Sequence, residues 1–136
     1  MAGGIDQTLA NSLLDALNPN SGAGSFPTIT GPIKVRLMTA NGSDTAAGTE
    51  QATSAGYTAG GTSVSTWAAA GSGSKATSAV VSWTNMPSMT TTGMEQWTSD
   101  ATPKRTFWGP WSGGNIVVGA GNTFTIASGS LSDALA

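Results

Sequence analysis

The 136 residues are enough for one domain, and five basic against seven acidic side chains leave a formal charge of −2 and a pI near 4.6. That sign, and the scatter of Lys34, Arg36, Lys75, Lys104 and Arg105 without a run or stripe, exclude a phosphate-gripping surface, so no nucleic-acid partner is expected. Cysteine and histidine are both absent, which removes disulfides, thiolate sites and the commonest general base, and no apolar run approaches the roughly 20 residues that cross a bilayer.

Charged residues make up only 9% of the chain, and Gly, Ala, Ser and Thr take their place. Small side chains lose little rotamer entropy on burial and suit close packing over wide contact surfaces. A surface this poor in charge is a solubility liability for a free monomer, which points to a protein that works in an assembly. The start, Met-Ala-Gly-Gly, has no basic n-region, so a soluble product without a secretory signal is expected.

Residues 5–17 carry the one helical pattern. Leu9, Leu13 and Leu17 recur every four residues, Ile5, Ala10 and Leu14 widen the stripe, and Gln7, Asn11 and Asp15 face away. Asp6 is placed to cap the N-terminus, and Asn18-Pro19 ends the helix because the residue before proline disfavours helical backbone. About three turns is too short to be stable alone. The helix therefore docks on its own sheet or on a neighbouring subunit, the first being the expectation.

A Gly/Ser/Pro-rich connection, Asn20 to Pro32, leads to Ile33–Thr39, where Ile33, Val35 and Leu37 alternate with Lys34 and Arg36 as in a half-buried strand. Residues 40–61 are rich in Gly, Ser, Thr and Ala, with Tyr57 their only large side chain, and read as a long surface arm with a short strand near Tyr57. Strands are then expected at Ser63–Ala68, Thr77–Thr84, Thr90–Thr98, Arg105–Trp111, Ile116–Val118 and Thr123–Ala127. Within the second of these, Ala79, Val81 and Trp83 share a side. Turns fall at Gly71-Ser72-Gly73, Asn85-Met86-Pro87, Ser112-Gly113-Gly114 and Ala120-Gly121-Asn122, the last reading as the bend of a hairpin. The end, Gly129 to Ala136, is a final edge strand or a tail that reaches a neighbour through Leu131 and Leu135. Short strands with period-2 patterning make the expected fold all-β: one antiparallel β-sandwich over residues 1–136, with a jelly roll as one variant, and one N-terminal α-helix.

Little in the sequence carries chemistry. A Ser–His–Asp triad is impossible without histidine, and Gly71-Ser72-Gly73-Ser74-Lys75-Ala76-Thr77 lacks both the spacing of a phosphate loop and a helix behind it. Glu95 and Asp100 are the nearest thing to a glycosidase pair; the simpler reading has Asp100 capping the turn before Pro103 and Glu95 facing solvent or pairing with Arg105. Asn41-Gly42-Ser43-Asp44 offers oxygens that an Asx-type turn explains without calcium. No catalytic, cofactor or metal-binding residue is assigned. Five tryptophans with Phe107 and Phe124 belong by default in the core; Trp111, beside Pro110 and a Ser-Gly-Gly turn, is the one expected to be exposed.

Several segments resemble a known family: Val80-Val81-Ser82-Trp83-Thr84-Asn85-Met86-Pro87, Gly93-Met94-Glu95-Gln96-Trp97, Ala101-Thr102-Pro103-Lys104-Arg105-Thr106-Phe107-Trp108-Gly109-Pro110 and Ala120 to Leu131. The chain resembles, from about Ile5 to Leu135, small structural proteins of tailed phages of actinobacteria, described as tail fibre, minor capsid or capsid decoration proteins. Where members often carry a Phe-Gly-Ile-type segment, this chain has Met94-Glu95-Gln96-Trp97, a departure that bears on partner contacts there. The resemblance implies a virion protein assembled in the host bacterial cytoplasm, not an enzyme. A capsid decoration or minor capsid role would stabilise the head by contact with the major capsid protein and with copies of itself, for instance as a trimer. A tail or tail-fibre component binding host-surface glycan is the alternative. The candidate contact residues are Leu9, Leu13, Tyr57, Trp97, Trp111, Leu131 and Leu135.

Overall fold

A computed structural model describes residues 4–17 and 28–134; the expected helix stop at Asn18-Pro19, part of the following connection, and Leu135 lie outside the described residues. In chain order the elements are β1 (Gly4–Ile5), α1 (Gln7–Leu17), β2 (Lys34–Ala40), β3 (Thr49–Glu50), β4 (Thr62–Ser63), β5 (Ser74–Ala76), β6 (Val81–Trp83), β7 (Met89–Thr91), β8 (Gly93–Trp97), β9 (Arg105–Pro110), β10 (Ile116–Val118), β11 (Phe124–Ile126) and β12 (Ser132–Ala134). The fold is antiparallel, all-β and sandwich-like, with a single short N-terminal helix among the described residues.

One layer is a sheet in the order β1-β9-β8-β2, with β3 and β4 sharing the outer edge of β2. Directly paired residues of antiparallel strands lie on the same face, and side chains alternate along each strand. The register Leu37↔Met94, Val35↔Gln96, Gln96↔Phe107 and Phe107↔Ile5 therefore defines an inner face. The opposite face carries Arg36, Glu95, Trp97 and Trp108. The alternation of β2 is thus real, with Val35 and Leu37 inaccessible to solvent and Lys34 and Arg36 half-buried on the other side.

The second layer is a two-stranded ribbon. β6 pairs with β11 and β7 with β10 in one continuous register (Val81↔Ile126, Met89↔Val118), and after a one-residue shift the pairing continues as β5 with β12 (Ala76↔Ser132). The turns Asn85-Met86-Pro87 and Ala120-Gly121-Asn122 interrupt it side by side and bond to each other, Met86 N–H donating to Asn122 and Gly121 N–H to Met86. The expected hairpin between Val118 and Phe124 is therefore not formed: that turn bends the ribbon, and each flanking strand pairs with a segment far earlier in the chain.

The expected strand Thr90–Thr98 divides at Thr92, where the chain passes from ribbon to sheet and Thr92 donates its N–H to the Met38 carbonyl. Strands that change layers at such corners are a usual way to close a sandwich. Thr77–Thr84 shortens to β6, with β5 formed just before it, and Ser63–Ala68 shrinks to β4 plus a single bridge, Trp67↔Thr77. The final segment adopts the edge-strand alternative as β12.

Between the layers Val35, Leu37, Met94, Val64, Tyr57 and Leu131 meet Val81, Trp83, Met86, Met89, Val118 and Ile126. Three of these are methionines, whose unbranched thioethers fill irregular gaps that β-branched side chains leave. Trp83, Phe124 and Trp111 form a tilted series with ring centroids 5.8 Å apart at each step.

The segment expected as a surface arm folds back on β2. Leu37 donates its N–H to the Tyr57 hydroxyl (3.1 Å) in the gap between β3 and β4, and that hydroxyl donates to Glu50 Oε1 (2.8 Å). A side chain thus supplies the acceptor that a neighbouring strand would otherwise provide. Tyr57 is 1% exposed, so it belongs to the core and cannot meet a partner. Gly56, at φ +70°, lets this loop approach the Thr84 and Asn85 carbonyls so closely that a Cβ would collide with both.

Candidate functional site

Two features stand out on the sheet: an ionic layer on its outer face and an apolar groove at the open end of its inner face. The ionic layer centres on Arg105, one of the two expected surroundings of Glu95, the other being solvent. Arg105 and Glu95 pair at 3.0 Å, and Glu95 is 1% exposed, not turned to solvent. Glu95 also accepts the Gly48 N–H (2.7 Å) and the Trp97 indole N–H (3.0 Å). Arg105 further donates to Asp6 Oδ2 through Nε and Nη2 and to the carbonyls of Ser43, Asp44 and Ala46. The oxygens of the 41–46 turn thus enclose a guanidinium. Gly42 sits against it, where a Cβ would lie within 2.7 Å of Ala46 O, Glu95 Oε1 and Arg105 Nη1.

Asp6 holds both the helix and this layer. Its carboxylate accepts the Thr8 N–H (2.9 Å) as the expected N-cap, its carbonyl accepts the Ala10 N–H, and its second oxygen takes Arg105. Residue 5 pairs in β1, so the helix starts later than its apolar stripe. Arg36 lies over the Trp97 ring at 4.2 Å and pairs with Glu50 at 3.3 Å. Asp100 accepts from the Thr98 hydroxyl, which itself accepts the Lys104 N–H, so this carboxylate fastens the turn before β9.

The groove has the composition of a binding surface. α1 crosses the open end of the inner face without burying any of its residues. Between it and the sheet lies a cavity of about 410 Å³ walled by Ile5, Leu9, Leu13, Ile29, Phe107 and Ala134. A second pocket of about 230 Å³ continues it past Trp67 and Gln96. Concave apolar sites of this size that also carry a few placed polar groups are typical of ligand and partner recognition. The polar group here is Asp133 on β12, half-buried, which accepts a short hydrogen bond from Gln96 Nε2. Burial pushes its carboxyl up to about 6, the Gln96 hydrogen bond pulling the other way. Lys75 is its cross-strand partner (Asp133↔Lys75), yet it is exposed and forms no ion pair among the described residues.

Of the candidate contact residues, Leu9 and Leu13 come together in this groove. Trp97 is half-buried beneath Arg36. Trp111, expected to be the exposed ring, leans on Phe124 and donates its indole N–H to Thr91 Oγ1 (3.1 Å), because the turn after Pro110 folds it onto the end of the core. Leu131 is 1% exposed, since β12 docks as an edge strand instead of trailing away, and it cannot reach a neighbour. Leu135 lies outside the described residues. Asp133 was missed: one strand residue apart from Leu131 on each side of Ser132, it shares the inward face with that leucine, a parity readable only once the segment is known to be a strand. Comparison with protein-family models finds no match for this chain, and comparison with curated proteins finds none either.

Proposed function

We propose that this chain is a structural component of a tailed-phage particle, a capsid decoration or minor capsid protein that acts by adhesion and not by catalysis. The observation that carries the adhesive part is the helix: none of its residues is buried, and Leu14 and Leu17 are 59% and 64% exposed on a stripe that also contains Leu9 and Leu13. A three-turn amphipathic helix whose apolar side meets so little of its own domain is a contact surface waiting for a second protein. Val117 on the ribbon, 77% exposed, adds a further apolar point. The phage assignment rests on the resemblance of the Val80–Pro87 and Ala101–Pro110 segments. Partners in this reading are the major capsid protein and other copies of the chain, each standard interface removing about 800 Å² per side from water. Many modest interfaces acting together hold a shell better than any single strong one. Mass spectrometry of purified particles should find the protein in many copies per head; a few copies confined to the tail tip, or none, overturns the assignment.

A further inference from the structure

The groove differs from the exposed helix stripe in one respect: a carboxylate stands in its apolar wall. Asp133 has one oxygen bonded to Gln96, and together with Ser132, Ala134 and Phe107 it also borders a third pocket, whose remaining walls, Gly4, Met94 and Trp108, carry no charge. The only other ionisable side chain lining the groove and its extension, among the described residues, is Lys75, which points no donor at it within ion-pair distance. The side chains that line the pocket with Asp133 from α1, β9 and the chain before β2 are Leu9, Thr106, Phe107, Ile29 and Ile33, all uncharged. An ionised carboxylate in such walls has lost much of its hydration and gained little in return. A cation brought there would restore a favourable partner, while its hydrocarbon stem would cover Leu9, Leu13 and Phe107.

From this charge complementarity we infer that the groove receives a lysine or arginine side chain, flanked by apolar residues, from a neighbouring protein. The inference rests on the adhesive reading above and names the chemistry of one contact. Arginine and lysine suit the site because their aliphatic stems bury while the head reaches the acid. Binding should release the proton that Asp133 holds in mildly acidic solution, so affinity should rise as the group ionises.

The test uses the whole chain and three probes of equal length: n-hexylammonium, n-hexanol and n-hexanoate, followed by amide shifts of Phe107 and Ala134 in NMR spectra. Near neutral pH the ammonium should bind roughly tenfold more tightly than the alcohol, the gain of one charge-assisted hydrogen bond. Its advantage should vanish in Asp133→Asn and in acid below the titration of Asp133, whereas alcohol binding should persist in both. Lys75→Ala should leave the ammonium preference intact or increase it. Equal affinity for alcohol and ammonium, preference for hexanoate, an ammonium preference that survives Asp133→Asn, or no shift at Phe107 and Ala134 with any probe would each overturn the inference. The probes report on the groove alone, so the outcome is separable from whether particles contain the protein.

Discussion

Arg105 engages its whole planar fork: Nε and Nη2 take Asp6, Nη1 takes Glu95 and the Ala46 carbonyl, and Nη2 adds Ser43 and Asp44. Removing one partner of a buried pair strands the other. Arg105→Met should therefore lower unfolding free energy by about 3–5 kcal/mol, measured by urea denaturation. Glu95→Leu on that background should restore part of the loss, and Arg105→Lys should not, since a lysine offers three donors from a single point. Asp133 behaves in the opposite sense. Its carboxyl titrates at about 6 when folded against about 3.9 when unfolded, so the folded state holds the proton more strongly. The stability this confers is complete below pH ~4 and is lost as pH rises through ~6. Asp133→Asn should then stabilise the protein near neutral pH by roughly 1 kcal/mol after allowing for solvent screening, with the difference gone in acid, as thermal scans at the two pH values would show. The Glu95–Arg105 pairing was legible from the residues; the carbonyls around the guanidinium were not, because main-chain oxygens leave no trace in composition.

At the scale of elements, α1 and β2 follow the sequence pattern closely, since each has a period that only one kind of backbone satisfies. The ribbon does not. Ala120-Gly121-Asn122 signals a reversal of the chain, but the turn only bends the ribbon and the chain keeps its direction from β10 into β11, because which strand lies alongside is settled by side chains dozens of residues away. Thr92 likewise interrupts what reads as one strand because its hydroxyl and N–H are both taken by Met38 O. The 40–61 segment reads as a surface arm for want of large side chains, yet it is fastened at both ends: Tyr57 and Glu50 bond to Leu37, Gly60 and Arg36, and the 43–48 stretch is held by Arg105 and Glu95. Burial moves the Tyr57 hydroxyl well above its usual range, consistent with an uncharged donor at that position. The helix supplies the prediction at this scale. Leu14→Glu with Leu17→Glu should change unfolding free energy by less than about 0.5 kcal/mol, because both side chains are exposed. The same pair should abolish rebinding to particles stripped of the protein, read by co-sedimentation.

In the molecule as a whole, two layers of unlike chemistry share one sheet. Its inner face packs apolar side chains against the ribbon, and its outer face holds Arg36, Glu95 and Arg105 under a loop. The pairing of the ribbon has an order built into it. Its innermost rung, Thr91 with Ile116, flanks the β8–β9 hairpin directly, whereas its outermost, Ser74 with Ala134, joins the segments farthest apart along the chain. Closing the short loop first makes every later rung a small further step, because loop entropy is charged mainly once. Formation should thus run like a zip from the hairpin outward, with the C-terminal strand seated last and released first. Hydrogen exchange should record this as protection that is greatest at Met89 and Val118 and falls steadily toward Lys75 and Asp133.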